Sequence, residues 1–148
     1  MMKITKIGDY ALRSVLYLST QPVIKISAVS EICKDCEIPY HITAKIMQKL
    51  TKAGIVRSFQ GNKGGFKLAK PANEISLKNV IEAIEGPIHL NDCSVSGKKC
   101  SRERLNCSIH PVWRDLQKIF IDTLDSHTMD ELSKKEKKIK ELIDVNNA

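Results

Sequence analysis

Three cysteines in the second half of the chain stand in the pattern C-x6-C-x6-C, as Cys93, Cys100 and Cys107, and His110 follows three residues after the last of them. Soft thiolates carried on one glycine-containing loop can converge on a single inorganic centre, which a nitrogen or oxygen ligand would complete. Structural zinc sites usually draw on close C-x2-4-C pairs, and this loop has none. The spacing therefore favours an iron–sulfur cluster, with zinc and a metal-free thiol or disulfide switch as the alternatives. Lys98, Lys99, Arg102 and Arg104 lie among the cysteines and would offset the negative charge of a thiolate-bound centre, although they equally suit a solvated basic loop. Cys33 and Cys36 form a separate pair. They would share a helix face only if the helix there reaches Cys36, and the expectation is a small buried residue at Cys33 and a turn thiol at Cys36.

The elements that must position these groups are legible from periodicity. Between Thr5 and Ser19, Ile7, Ala11, Val15 and Leu18 recur at helical spacing, with Asp9 and Arg13 placed for an intrahelical pair. Ser27 reads as the N-cap of a second helix ending near Asp35. Pro39 opens a third, whose inward face is Ile42, Ile46, Leu50 and Ala53 and which Gly54 stops. Two short helices joined by a tight turn make a helix-turn-helix. Ile55–Phe59 and Phe66–Ala69 read as strands around the glycine-rich turn Gly61–Gly65, a wing directly behind the third helix. On this reading Tyr40, His41, Thr43, Ala44, Lys45, Gln48 and Lys49 would occupy the major groove of DNA, while Gln60, Asn62 and Lys63 at the wing tip reach the minor groove.

Ser76 caps a fourth helix with Val80, Ile81 and Ile84 inward, ended by Gly86-Pro87. Asn91 to Asn106 has no helical period. From Pro111 a longer amphipathic helix carries Val112, Leu116, Ile119, Phe120, Thr123 and Leu124, a stripe suited to dimerisation, with Trp113 expected to anchor it in a core. Thr128-x-x-Glu131 is a capping box that opens a short last helix, and Lys134 to Lys140 is expected to fray into solvent. The fold class is thus mainly α with a small β-wing. Residues 1–86 form a winged helix-turn-helix, 87–110 a cysteine-rich loop, and 111–148 a dimerisation helix and tail.

Charge supports a polyanionic partner. The 148 residues carry a formal net charge of +7, and the excess is confined to one half. Met1–Lys70 holds 12 Lys/Arg against 4 Asp/Glu, whereas Pro71–Ala148 holds 12 against 13. Clustered Lys and Arg are rewarded when they release counterions from phosphates, so a polyanion such as double-stranded DNA is the natural partner, with an anionic membrane surface as the alternative that charge alone leaves open. No apolar run is long enough to span a membrane and no export signal is visible, which together with five cysteines indicates a reducing, cytoplasmic setting. No Ser/His/Asp order, phosphate loop or carboxylate pair suggests an enzyme.

The runs KITKIGDYALRSVLYL, IPYHITAKIMQKLTKAGIV, GNKGGFKLAKP, ISLKNVIEAIEGP and CSIHPVWRDL, in order from about Lys3 to about Leu132, resemble the Rrf-two family of winged-helix transcription regulators. Its IscR, NsrR and RirA types carry iron–sulfur clusters. The resemblance implies a homodimer on a near-palindromic operator, with a cluster before the dimerisation helix that senses iron–sulfur supply, nitric oxide, oxygen or redox state. By position, Cys93, Cys100 and Cys107 match the cluster cysteines. His110 matches the fourth ligand of IscR-type members, and Asp9 matches the carboxylate that NsrR-type members supply from the partner subunit. The histidine favours a two-iron cluster by analogy, with a four-iron cluster as the alternative. Departures are the wider cysteine spacing and the residues Pro39, His41, Ala44 and Gln60, which stand where the IscR type has its DNA-reading serines, glutamate and arginine. A metal-free thiol or small-ligand sensor and, from another class, a small iron–sulfur electron carrier are the competing functions.

Overall fold

The computed structural model describes residues 3–95 and 107–148. The order is α1 (Lys6–Thr20), α2 (Val29–Cys36), α3 (Tyr40–Lys52), β1 (Val56–Phe59), β2 (Gly65–Leu68), α4 (Leu77–Glu85), α5 (Ile109–Ser126) and α6 (Met129–Asn147), with one-turn 3-10 helices at Ala72–Glu74 and Asp92–Ser94. The strands pair antiparallel with Val56 opposite Leu68 and Phe59 opposite Gly65. This is the mainly helical, winged arrangement expected.

α1 begins at Thr5, whose hydroxyl accepts from the Gly8 N–H at 3.1 Å. Its buried face is Gly8, Ala11, Ser14, Val15 and Leu18. Ile7, expected inward, is instead 46% exposed. The face turns by one residue because the N-terminal end of α1 lies close against α4, where a Cβ on Gly8 would come within 2.3 Å of Glu85 Oε1. That carboxylate accepts from Thr5 N at 2.9 Å and from Thr5 Oγ1 at 2.6 Å.

Ser27 is not a helix cap. The cap of α2 is Ala28, whose N–H donates to Glu31 Oε2 at 3.0 Å. Ser27 instead pairs with Phe66 through two backbone hydrogen bonds of 2.9 and 2.8 Å, adding a third lane to the wing. Gly65 permits this approach, since a Cβ there would meet the Ser27 carbonyl oxygen at 2.2 Å. α2 extends through Cys36, so the two thiols do share one helix, but their environments are the reverse of expectation: Cys36 is buried and Cys33 half-buried. Glu37, in the left-handed conformation at φ 56°, closes α2 and directs the chain into α3.

α4 starts with the expected cap, Ser76 Oγ accepting from Asn79 N at 3.2 Å while Asn79 Oδ1 accepts from Ser76 N at 2.9 Å. The elbow between α5 and α6 is stitched to this point by Leu77 N to His127 O at 3.0 Å and Met129 N to Ile75 O at 2.8 Å. One core joins α1 to α4 and the start of α6, with Val15, Ile32, Ile46, Met47, Leu50, Val80 and Met129 almost fully buried.

The last helix is not short. α6 runs 19 residues, and the lysine-rich stretch stays helical rather than fraying. Its lysines have acidic partners one turn earlier: Lys134 with Asp130 at 2.7 Å, Lys135 with Glu131 at 2.6 Å and Lys140 with Glu136 at 3.2 Å. Thr128 Oγ1 accepts from Glu131 N at 3.3 Å, but the Glu131 carboxylate turns to Lys135 instead of completing a capping box.

Candidate nucleic-acid interface and metal centre

α3 presents two opposite faces. Thr43, Ile46, Met47 and Leu50 are buried inward. His41, Lys45, Gln48 and Lys52 are exposed, with half-buried Ala44 at the margin, and they follow helical spacing along the outer face. Tyr40 stands at the first turn, 63% exposed. Thr43 corrects the groove assignment: it is fully buried, and its hydroxyl donates to the Pro39 carbonyl at 3.1 Å. A β-branched residue that bonds backward along the helix fills the turn between α2 and α3 and has no face left for a base. Lys49 is exposed, but its ammonium donates to the Ile84 carbonyl at 3.4 Å, tying α3 to the end of α4.

Gln60, Asn62 and Lys63 are all exposed on the turn between β1 and β2. The sequence reading missed two cations behind them. Arg57 and Lys67 are cross-strand partners, and their cationic groups lie 5.5 and 5.3 Å from the Phe59 ring. Two-residue alternation along β1, which puts Arg57 and Phe59 on the same side, was the available signal.

The cysteine region is described at both of its ends. Cys93 is half-buried in the one-turn helix Asp92–Ser94, which Asn91 caps and which packs against α5. Cys107 is half-buried just before α5, and His110 is half-buried in its first turn. Cys100 lies outside the described residues. Among the described residues no three His, Cys, Asp or Glu side chains gather as a metal site. Asp9 is exposed on α1 and bonded to Arg13 at 2.9 Å, the intrahelical pair its spacing suggests. The donor set nonetheless fits an iron–sulfur centre in its chemistry. Thiols enter and leave the segment against one helix, and an imidazole sits on that helix's first turn.

Gln117 on α5 fixes the approach to this region. Its amide oxygen accepts from Leu90 N at 2.8 Å and its amide nitrogen donates to the Ile88 carbonyl, so one side chain clamps the segment ahead of Cys93. A cavity of about 390 Å³ is lined by Ile4, Ile81, Leu90, Phe120 and Leu124. α5 itself has no buried residue. Ile109 (56% exposed), Val112 (55%), Leu116 (44%) and Ile119 (63%) form an open apolar stripe, and Trp113 is half-buried rather than enclosed in a core. Among the described residues no helix is long and apolar enough to cross a membrane.

Comparison with known proteins agrees with this architecture. The family profile of Rrf2, described as iron-dependent transcriptional regulators, matches residues 4–135. Among curated relatives, the HTH-type transcriptional regulator NsrR of Shouchella clausii is 28% identical, with 96% of this chain and 95% of that protein covered. Protein aau3 of Rhizobium meliloti is 30% identical over 90% of this chain and 86% of that protein. Among solved structures, CymR, the global cysteine regulator of B. subtilis, superposes with a TM-score of 0.75 at 23% identity, covering 91% of this chain and 98% of that one. IscR of T. potens superposes at 0.71 with 21% identity, covering 91% and 88%, and these two likenesses show the fold alone. Nearly the whole chain, from the N-terminal end of α1 into α6, is covered by one family profile, so this protein belongs to the Rrf2 family of DNA-binding transcriptional regulators.

Proposed function

We propose that the chain is a homodimeric repressor whose affinity for operator DNA is set by an iron–sulfur cluster held by Cys93, Cys100 and Cys107. His110 is the fourth ligand of a two-iron form, and Asp9 of a second copy the alternative, suited to a four-iron form. The observation that carries this reading is that Cys107 and His110 stand at the N-terminal end of α5 and Cys93 in a one-turn helix packed against α5, the helix whose apolar stripe stands open. The NsrR relatives add to it. When bound, the cluster supplies a redox-active and nitric-oxide-reactive centre.

The protein's own residues do the rest. Two copies of the α5 stripe cover each other, which removes apolar surface from water and fixes two heads on one duplex. His41, Ala44, Lys45 and Gln48 then enter the major groove. Gln60, Asn62 and Lys63 reach the minor groove, and Arg57 and Lys67 meet phosphates beside it. Order in the cysteine segment sets the angle at which α5 leaves the head, and so the separation of the two α3 helices. No catalytic turnover is involved. In this reading residues 1–86 read DNA, 87–110 hold the cluster, and 111–148 join the copies.

The test is anaerobic isolation, iron and sulfide analysis and visible absorbance, followed by electrophoretic shifts on an operator selected from random duplexes. Brown protein whose operator affinity changes on cluster removal supports the proposal. Loss of the spectrum in His110→Ala or in Asp9→Ala identifies the fourth ligand. Colourless, iron-free protein after reconstitution would favour a second reading, a thiol switch. That reading has its own support in the 25% identity and TM-score of 0.69 to an oxidized form of Staphylococcus aureus CymR.

A further inference from the structure

A second cavity lies away from the cysteine region. It measures about 660 Å³ and opens between the C-terminal end of α1, the turn that follows, the outgoing end of β2 and the first turns of α6. Its volume falls within the ~300–1,000 Å³ of small-molecule sites. Leu18, Leu68 and Ala72 contribute apolar lining, and the charged groups are Lys25, Lys67, Lys70 and Lys134 against the single carboxylate of Asp130.

These lysines come from three separate segments, the turn after α1, the end of β2 and α6, so no local run of charge accounts for their meeting. Asp130 is already engaged by Lys134 at 2.7 Å. Lys25 donates to Gln21 Oε1 at 3.2 Å and lies 3.8 Å from Glu31, at the start of α2. Lys67 sits over the Phe59 ring. Lys70 has neither hydrogen bond nor ion pair among the described residues, and its ammonium is available. Like charges lining a concave, apolar-walled space focus a positive potential there, and a ligand of opposite charge relieves their repulsion.

We propose that this cavity binds a small organic polyanion, a molecule with two or more carboxylate or phosphate groups on a short carbon skeleton, as an effector independent of the cysteine segment. The skeleton covers the apolar lining, and its anionic groups meet Lys70 and Lys134. Such a ligand ties the end of the wing to α6. Through Lys25 and its neighbour Glu31 it also bears on the seating of α2 beneath α3. Occupancy is thereby expected to alter DNA affinity without any change in iron.

The test uses the full chain in amide-resolved NMR, titrated separately with citrate and with pyrophosphate at constant ionic strength, with sodium chloride as control. The comparison protein is the Lys70→Gln, Lys134→Gln double variant, checked for an unchanged melting curve. Saturable shifts in residues 21–25 and 67–73, with binding weakened about tenfold or more in the variant, support the site. A response to only one probe assigns the anion class. Shifts no larger than those from chloride, or equal in the variant, overturn it. So does a variant whose only defect is weaker, less salt-dependent binding to a random-sequence duplex, because the lysines would then be contacts to DNA phosphate.

Discussion

Gly8→Ala separates two opposing contributions. Alanine inside a helix is favoured over glycine by ~1 kcal/mol, so propensity alone predicts a more stable α1. At this site the new Cβ would stand 2.3 Å from Glu85 Oε1 and 2.9 Å from Ile4 Cγ2. Glu85 can swing its flexible end away, so the direct steric cost is small. The real loss is its two hydrogen bonds to Thr5, at 2.9 and 2.6 Å. With a charged acceptor at a solvated edge these are worth ~1–1.5 kcal/mol each, which outweighs the propensity gain by about 1–2 kcal/mol. For a chain of this size that is a fall in Tm of roughly 2–8 °C. Thermal denaturation should be run on Gly8→Ala, Glu85→Ala and the double variant. In the Glu85→Ala background the bonds and the Glu85 contact are both absent and only the Ile4 Cγ2 contact remains, so Gly8→Ala should cost far less than in the otherwise unchanged protein. A rise in Tm for Gly8→Ala in the otherwise unchanged protein would refute the reasoning.

Gln117→Leu should leave the Leu90 N–H and Ile88 carbonyl without their side-chain partner, at a cost of ~1–3 kcal/mol, and hydrogen exchange at Leu90 should accelerate while that at α1 amides is unchanged. Burial, and then the charge of Asp35, raises the Cys36 thiol from 9.0 to about 11. Its thiolate is about one part in a thousand at pH 8, so native protein should be alkylated there far more slowly than at Cys33, which mass spectrometry reads directly. Because the folded-state value is the higher one, the associated stability is present below pH 9 and lost as pH rises toward about 11; Cys36→Ala should flatten that part of a stability–pH curve. Lys45→Ala should weaken duplex binding and lower its salt slope by about one, whereas Thr43→Val should lower Tm by a few degrees and leave the salt slope unchanged, as measured by fluorescence anisotropy.

What could be read from the sequence was what local spacing decides. The outer stripe of α3, the Asp9–Arg13 pair and the Ser76 cap each depend on residues within one or two turns, and each is present. What could not be read depends on distant partners. Ser27 looks like a cap until Phe66 arrives from the wing and takes its backbone. Ile7 satisfies the helical period, but Glu85 from α4 draws Gly8 inward. Thr43 looks polar enough for a groove, yet its hydroxyl is satisfied within its own helix and its methyl belongs to the core. In α6 the lysine run taken alone suggests fraying, but Asp130, Glu131 and Glu136 one turn earlier pair with it.

α5 gives these pieces a common geometry. A helix with no buried residue contributes little to the stability of one copy, yet this one is held at its middle and at its C-terminal end. Gln117 clamps the segment ahead of Cys93 to it, and Ser76 Oγ bonds Asp125 Oδ1 at 2.9 Å beside the elbow to α6. The head, the cysteine turn and the open stripe are therefore joined through one rigid rod rather than a flexible tether. In the proposed dimer, a change of order around Cys107 and His110 acts at the first turn of that helix, the end that the Asp125 bond and the elbow leave free. Under the proposed function, the exposed stripe is the feature through which a local event among thiols would alter the spacing of two recognition helices.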